Sequence, residues 1–157
     1  MKIEVKWWTP IVLLDGSEDN LIYKIDFDDL PESPGVYIFA RCYGNELVPL
    51  YIGQAKNLYD RIETHFYKNV NLMQSIKHSQ YGKRVLLIGE LRQKQGQKNI
   101  KKALGIIESV LIDRCMSEDY ALLNKQGTKR PFHTIVSKGP KNVTKLVGRK
   151  MKSPARN

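Results

Sequence analysis

The hydrophobic pattern of the chain predicts several short strands. Runs rich in branched and aromatic residues, some of them alternating with polar residues, are typical of strands. The predicted strands cover residues 2–7, 11–14, 21–25, 35–43, 47–53 and 84–91. The break at Gly44-Asn45 predicts that the runs on either side of it form an antiparallel hairpin. A sheet built mainly from neighbouring antiparallel strands is therefore expected.

Helical spacing of apolar residues marks the segments between and after these strands. Leu58, Ile62 and Phe66 recur every four residues, and Asn57 is placed to cap the helix that they predict. Further helices are predicted over residues 70–80 and 100–115. Beyond Tyr120 the apolar periodicity ends. Together these elements predict an α/β (α+β) protein with helices flanking a sheet.

The elements divide the chain into three predicted parts. They are an N-terminal β-hairpin extension over residues 1–30, a central domain over 31–127 and a basic tail over 128–157. At 157 residues the chain has the length of one domain with a core of its own. We find no apolar run of the ~20 residues that a membrane span needs. The charged start is unlike a signal peptide, so a cytoplasmic protein that does not contact membranes is expected.

The net charge of +10 is concentrated at the C-terminal end. Residues 1–119 hold 16 basic and 16 acidic residues, whereas residues 120–157 hold ten basic residues and no acid. Such a segment favours a polyanionic partner, because each neutralised phosphate releases counterions. A solvated tail that only aids solubility is the alternative. The predicted nucleic-acid contacts in this segment are Lys129, Arg130, Lys138, Lys141, Lys145, Arg149 and Lys150.

Two tyrosines occupy equivalent places on the central predicted hairpin. Tyr37 ends the triplet that begins at Gly35, and Tyr51 begins the triplet that ends at Gly53. If the two strands pair antiparallel, both phenols can lie on one side of the sheet. Tyrosines in strands are more often packing residues, so this pattern alone does not establish a catalytic site.

The helix that follows adds a cation and an imidazole. Arg61 and His65 are four residues apart and therefore project from the same helical stripe. A guanidinium offers paired donors that suit a phosphate group. A solvated helix face is the alternative for this pair. Gln54 and Lys56, just before the helix, are also predicted to contact nucleic acid.

Glu108 lies in the middle of the apolar face of the helix predicted over residues 100–115. Leu104, Leu111, Ile112 and Cys115 fall on the same side of the helical wheel. A carboxylate there is costly unless it binds a cation or a hydrogen-bond donor. It is either a partly buried glutamate bonded to another side chain or a Mg²⁺ ligand. One carboxylate combined with phosphate oxygens and waters is a usual way to hold Mg²⁺.

In order and approximate spacing, these residues resemble the signature of the GIY-YIG endonuclease family. The matching positions are Gly35-Val36-Tyr37, Tyr51-Ile52-Gly53, Arg61, Glu108 and Asn124. The stretch from Tyr51 to Phe66 is similar to bacterial repair and homing members of that family. The resemblance implies a three-stranded antiparallel sheet flanked by helices over residues 31–127. It also implies cleavage of one DNA strand per active site with one divalent metal, Mg²⁺ or alternatively Mn²⁺.

The resemblance also implies a role for each matching side chain. Glu108 would hold the metal, and Arg61 would stabilise the negative charge on the pentacovalent phosphate. Tyr37 would contact and deprotonate the attacking water, although a phenol with a pKa near ~10 needs nearby positive charge to do so. Tyr51 would position the water or the phosphate. Asn124 would orient the phosphate or buttress the site.

Three features depart from the family pattern. Gln54 stands where many relatives carry lysine or serine, and Lys56 or His65 are candidates to substitute for that lysine. The connection between the two tyrosines is longer than usual. His65 matches a histidine of some restriction-type and structure-selective members, so the proton acceptor is either Tyr37 or His65.

The leading hypothesis from the sequence is a metal-dependent DNA endonuclease, monomeric or homodimeric. Its context would be restriction, a phage or a mobile element, and cutting a palindromic site would favour a dimer. A second hypothesis is a nucleic-acid-binding module that keeps the scaffold without activity. A third is an unrelated α/β protein in which the triplets arise by chance.

Overall fold

The computed structural model describes residues 2–79, 81–93, 99–124 and 134–152, which form a mixed α/β fold. The strands are β1 (Lys2–Trp7), β2 (Ile11–Val12), β3 (Leu14–Asp15), β4 (Tyr23–Lys24), β5 (Gly35–Tyr43), β6 (Glu46–Ala55), β7 (Lys83–Arg92), β8 (Thr134–Lys138) and β9 (Lys150–Lys152). The α-helices are α1 (Leu58–Lys68), α2 (Val70–Lys77), α3 (Ile100–Ser117) and α4 (Lys141–Val147). None of these helices is long and apolar enough to cross a membrane.

The sheet is larger than the three strands expected. The predicted antiparallel trio is present as β6, β5 and β7. The sheet continues past β7 in the order β6-β5-β7-β1-β8-β9, and β2 also pairs with β7. The expectation of a three-stranded sheet was therefore wrong, although its central pairings are confirmed.

Both ends of the described chain are built into this sheet. Strand β1 pairs antiparallel with β7 on one side and parallel with β8 on the other, so it is an interior strand. The strands predicted over 11–14 and 21–25 meet in part: β3 and β4 form a separate two-stranded sheet. Residues Ile11–Val12 pair instead with β7, as β2. Beyond Tyr120, where the apolar periodicity of the sequence ends, the structure adds β8, α4 and β9. Helix α4 and strand β9 have seven and three residues, which is too few for a periodic pattern to be recognised. The predicted division of the chain into three parts stays a prediction.

Strand β5 is buried on both faces and separates two hydrophobic clusters. Val36 and Ile38 point towards α3 and α4. Tyr37 and Phe39 point the other way, towards α1 and α2. The near-continuous apolar run of this strand follows from cover on both sides. Strand β6 lies at the edge of the sheet, where groups from the two faces can meet.

The helix α1 begins where its sequence predicts. The Asn57 side chain accepts a hydrogen bond from the Asp60 N–H (3.1 Å), which confirms the predicted cap. Asn69 ends α1 and caps α2 in the same way, through the Leu72 N–H. One asparagine therefore joins the two helices with almost no connecting loop.

Candidate active site

The two tyrosines lie on one side of the sheet, as the alternation predicted. Their rings are nearly parallel, with 6.4 Å between centroids. Tyr37 is fully buried, and Tyr51 is half-buried. Tyr37 pairs in register with Gly53, so its ring lies across a position that has no side chain. The bare backbone at Gly53 therefore makes room for the phenol of Tyr37.

Gly53→Ala is expected to destabilise the fold by about 1–3 kcal/mol, because overpacking displaces a fixed side chain. An ideal Cβ at Gly53 would overlap the Cζ and Oη atoms of Tyr37. Gly105→Ala is the matched control, because a Cβ at Gly105 would meet only the Gln54 Nε2 atom at 4.0 Å. That variant should gain about 0.5–1 kcal/mol from helix propensity. Urea unfolding measures the change in the free energy of unfolding for each variant. Changes of the same sign in both variants would contradict the packing described.

Helix α1 directs Arg61 and His65 to the phenols. The His65 ring is buried, with 3% of its surface exposed, and its Nε2 atom lies 2.6 Å from the Tyr37 Oη atom. The Tyr51 and His65 rings meet edge to face, with 5.8 Å between centroids. The Arg61 side chain is exposed and faces the Tyr37 hydroxyl. The predicted stripe of Arg61 and His65 therefore points at the two tyrosines.

Burial and the charge of Arg61 act in opposite directions on the phenols. Burial raises the pKa of Tyr37, and the Arg61 hydrogen bond and charge lower it in part. Burial likewise raises the pKa of Tyr51, while Arg61 lowers it. Tyr37 is therefore a neutral phenol at neutral pH unless further positive charge comes near it.

Burial, together with the positive charge of Arg61, lowers the pKa of His65 to about 4. The unfolded chain, in which the pKa is about 6.5, binds a proton that the folded protein does not bind between these two values. Stability should therefore fall as the pH is lowered from about 6.5 towards 4. Thermal melting across this range checks the slope. His65→Gln should flatten this dependence of the melting temperature on pH. A His65→Gln profile as steep as wild type would contradict the assignment.

Glu108 lies near the two tyrosines and Arg61, but it comes from α3, on the other face of the sheet. It is half-buried, and its charge raises the pKa values of Tyr37, Tyr51 and Arg61. Burial raises its own pKa, which the Gln54 side chain and the Arg61 charge lower in part. Carboxylate, guanidinium and phenols thus converge around the edge strand β6.

A single carboxylate such as Glu108 suits a hard cation that keeps most of its water ligands. In the part of the chain that the structure describes, no three His, Cys, Asp or Glu side chains cluster in a way that could hold a metal ion. Mg²⁺ can be bound by one carboxylate together with waters and substrate phosphate oxygens. The residues present therefore fit Mg²⁺ at Glu108 and do not form an all-protein cage.

Asn124 supports the site through the backbone. Its Oδ1 atom accepts from the Ile52 N–H (2.7 Å), and its Nδ2 atom donates to the Ile52 carbonyl (2.6 Å). The amide thus pairs with the edge of β6 as another strand would, between Tyr51 and Gly53. Of the two roles expected for Asn124, this geometry favours the buttress.

A shallow groove of about 390 Å³ opens beside the converging residues. Its lining includes the predicted contacts Gln54 and Lys56, together with Arg61. Lys56 is exposed. Gln54, on β6, is half-buried, and its side chain lies beside α3.

Five of the predicted nucleic-acid contacts in the C-terminal segment are described, and they lie on β8, on α4 and just after α4. They are exposed: Lys138, Lys141, Lys145, Arg149 and Lys150. Lys138 forms an ion pair with Glu4 (3.0 Å), so part of its charge is already neutralised. Helix α4 contacts β6, the strand that carries Tyr51. Lys129 and Arg130 lie outside the described residues.

The sequence reasoning missed Asn69. Its side chain contacts the His65 ring (Nδ2 to Nδ1, 3.2 Å) in addition to capping α2. Two signals could have identified it: an asparagine before an apolar helical segment, and a spacing of four residues from His65.

Comparison with known proteins finds relatives that share one name. The chain is 28% identical to UvrABC system protein C of Mycoplasma mycoides subsp. mycoides over 127 residues, 80% of this chain and 21% of that protein. It is 32% identical to the protein of that name from Thermosipho africanus over 118 residues, 75% of this chain and 18% of that protein. With the one from Petrotoga mobilis, it shares 46% identity over 48 residues, 31% of this chain and 8% of that protein.

The chain thus spans about a fifth or less of the length of these curated relatives. No family model matches the chain, and no solved structure matches it.

Proposed function

We propose that this protein is a divalent-metal-dependent DNA endonuclease of the GIY-YIG type, which hydrolyses one phosphodiester bond per active site. The observation that carries the proposal is the convergence of Tyr37, Tyr51, Arg61 and Glu108 at the edge strand β6. These groups come from two strands and two helices on opposite faces of the sheet. Packing alone gives no reason to bring a guanidinium and a carboxylate to two phenols.

The relatives favour a nuclease over an unrelated domain. Proteins named UvrABC system protein C match most of this chain, in agreement with the resemblance to bacterial repair members of the GIY-YIG family. This likeness favours a role in DNA repair. The restriction, phage or mobile-element context expected from the sequence stays a prediction, as does the choice between monomer and homodimer.

Glu108 is the residue that would hold the metal ion. When bound there, Mg²⁺ or Mn²⁺ would polarise a phosphate oxygen and stabilise charge on the leaving 3′ oxygen. Glu108 is half-buried beside Gln54, so its carboxylate is held in place. Its raised pKa makes it easier to protonate, and metal binding should therefore weaken at acidic pH.

The remaining residues act on water and on phosphate. The water oxygen forms a new bond to phosphorus, the P–O3′ bond breaks, and the leaving oxygen takes a proton from solvent. Tyr37 accepts the proton of the attacking water, for which its phenol must first ionise. Arg61 stabilises both that phenolate and the negative charge that builds up on the phosphate. The products are a 3′-hydroxyl and a 5′-phosphate.

The alternative is a nucleic-acid-binding module without activity. The groove beside Arg61 and the exposed cations on α4 suit this role equally well. It predicts salt-dependent binding without cleavage. The convergence of Glu108 on the two phenols favours the nuclease, because binding the backbone does not require a carboxylate.

Ligation of the products separates the two functions and tests the bond that is cut. Supercoiled plasmid is incubated with wild-type protein and Mg²⁺ or Mn²⁺, and nicked circles are then treated with DNA ligase. The proposal predicts nicks that ligase reseals, because they carry a 3′-hydroxyl and a 5′-phosphate. Salt-sensitive binding with no nicks would support the binding module. Nicks that resist ligase would contradict the proposed chemistry.

A further inference from the structure

The Asn69 amide has an orientation fixed by its own partners. Its Oδ1 atom accepts the Leu72 N–H (3.2 Å) at the start of α2. Only the oxygen of a side-chain amide can accept a hydrogen bond, so the Nδ2 donor must be the atom that faces His65. That donor lies 3.2 Å from the His65 Nδ1 atom.

The orientation of Asn69 determines the protonation of the ring. A neutral imidazole has one donor and one acceptor nitrogen, and the nitrogen that faces a donor must be the acceptor. Nδ1 is therefore unprotonated, and the proton lies on Nε2. Nε2 is 2.6 Å from the Tyr37 Oη atom, so His65 donates this hydrogen bond and Tyr37 accepts it.

The surroundings of the ring keep it neutral. Three aromatic rings contact it, those of Tyr37, Phe39 and Tyr51. Arg61, one helical turn earlier on α1, adds a positive charge that disfavours imidazolium. The ring is 3% exposed, which leaves solvent little access. The neutral form with both nitrogens engaged is therefore the resting state.

We infer that Asn69 is a positioning residue that fixes His65 in the tautomer protonated on Nε2, so that His65 donates to the Tyr37 oxygen and cannot take its proton. The assignment of the tautomer stands on the hydrogen bonds alone. Its consequence for cleavage rests on the proposed function: the Tyr37 oxygen receives the His65 hydrogen bond and faces the Arg61 guanidinium. Both interactions stabilise a phenolate, which makes Tyr37 the base and His65 its donor.

The tautomer is measured directly on the wild-type protein. Long-range proton–nitrogen correlation NMR distinguishes a protonated from an unprotonated ring nitrogen. The inference predicts a protonated Nε2 and an unprotonated Nδ1 for His65 at neutral pH. A proton on Nδ1 would overturn it. This readout needs no substrate, so it remains informative even if the protein cleaves nothing.

Asn69→Asp reverses the polarity of the contact while keeping the helix cap. Aspartate caps a helix as well as asparagine does, but it presents only acceptors to Nδ1. At mildly alkaline pH the ring proton should move to Nδ1, and cleavage should slow by roughly 10- to 100-fold, the usual cost of losing an orienting partner. DNA affinity should hold. A moved proton with wild-type cleavage would refute the role of the tautomer.

Asn99→Asp is the matched control for this substitution. Asn99 caps α3 through the Lys102 N–H (3.1 Å), and the aspartate would again keep the cap while adding a negative charge. The tautomer of His65 and the rate of cleavage should both stay as in wild type. Slowing by Asn99→Asp as large as that by Asn69→Asp would show a general effect of added charge and would overturn the inference.

Substitution of His65 itself separates donor from base. His65→Gln supplies an amide N–H but no base, whereas His65→Leu supplies neither. The inference predicts that the glutamine variant cleaves about tenfold faster than the leucine variant, the value of one hydrogen bond. Equal inactivity of the two variants would instead assign the base to His65. If wild type shows the predicted tautomer but never cleaves, the proposed function fails while the assignment of the tautomer stands.

Discussion

Glu108→Ala is expected to reduce cleavage to background while leaving DNA binding nearly intact. The carboxylate of Glu108 is the proposed ligand of the divalent cation beside the phenols, and the variant removes it from a half-buried position. Loss of the metal removes the stabilisation of the leaving oxygen. Fold stability should change little, because burial already raises the pKa of this carboxyl and disfavours its charge. Single-turnover cleavage, DNA binding, Mn²⁺ binding and thermal melting measure these four properties separately.

Glu118→Gln is the control on the same helix. Glu118 lies at the C-cap of α3, in a salt bridge with Arg114 (3.7 Å). Removal of this exposed charge should leave both cleavage and Mn²⁺ binding as in wild type. Wild-type cleavage by Glu108→Ala, with an intact fold, would refute the metal-ligand role of Glu108.

Tyr37→Phe is expected to slow cleavage by about 100- to 10,000-fold, the usual contribution of a general base. It removes the phenolic oxygen that lies 2.6 Å from the His65 Nε2 atom and faces Arg61. The substitution also leaves the buried His65 N–H without its acceptor, which should cost about 1–3 kcal/mol of stability. Cleavage under single-turnover conditions and urea unfolding measure the two effects.

Tyr67→Phe controls for the loss of a hydroxyl. Tyr67 lies on the exposed side of α1, against Phe27. Removal of its hydroxyl should change neither the rate of cleavage nor the stability. A Tyr37→Phe variant that loses stability but cleaves at the wild-type rate would make Tyr37 a packing residue. The water would then need another proton acceptor.

The sequence predicted the parts of the fold that local patterns determine. The central hairpin, the cap at Asn57 and the shared face of Tyr37 and Tyr51 follow from alternation, helical spacing and capping chemistry. The half-buried position of Glu108 also agrees with its place on an apolar helix face. Each of these predictions depends on a pattern within a few neighbouring residues.

Long-range contacts explain what the sequence did not predict. Strand β1 lies between β7 and a strand from the other end of the chain, a position that no local pattern indicates. The C-terminal elements carry no clear local pattern. Helix α4 has seven residues, too few for helical periodicity. Strand β8 lacks strict alternation, because polar Ser137 is buried on the same side as Ile135. The contact of Asn69 with His65 follows a four-residue spacing at the end of α1, a local signal that the sequence analysis did not use.

The most direct test of the central claim is plasmid nicking by wild type beside Glu108→Ala, with Mg²⁺ and with a chelator. The account predicts nicking by wild type that requires the metal, and none above background by the variant in either condition. Equal nicking by both proteins, or nicking that persists in the chelator, would contradict a metal-dependent active site at Glu108. A wild type that binds supercoiled, branched and single-stranded DNA without cutting any of them would contradict the nuclease itself.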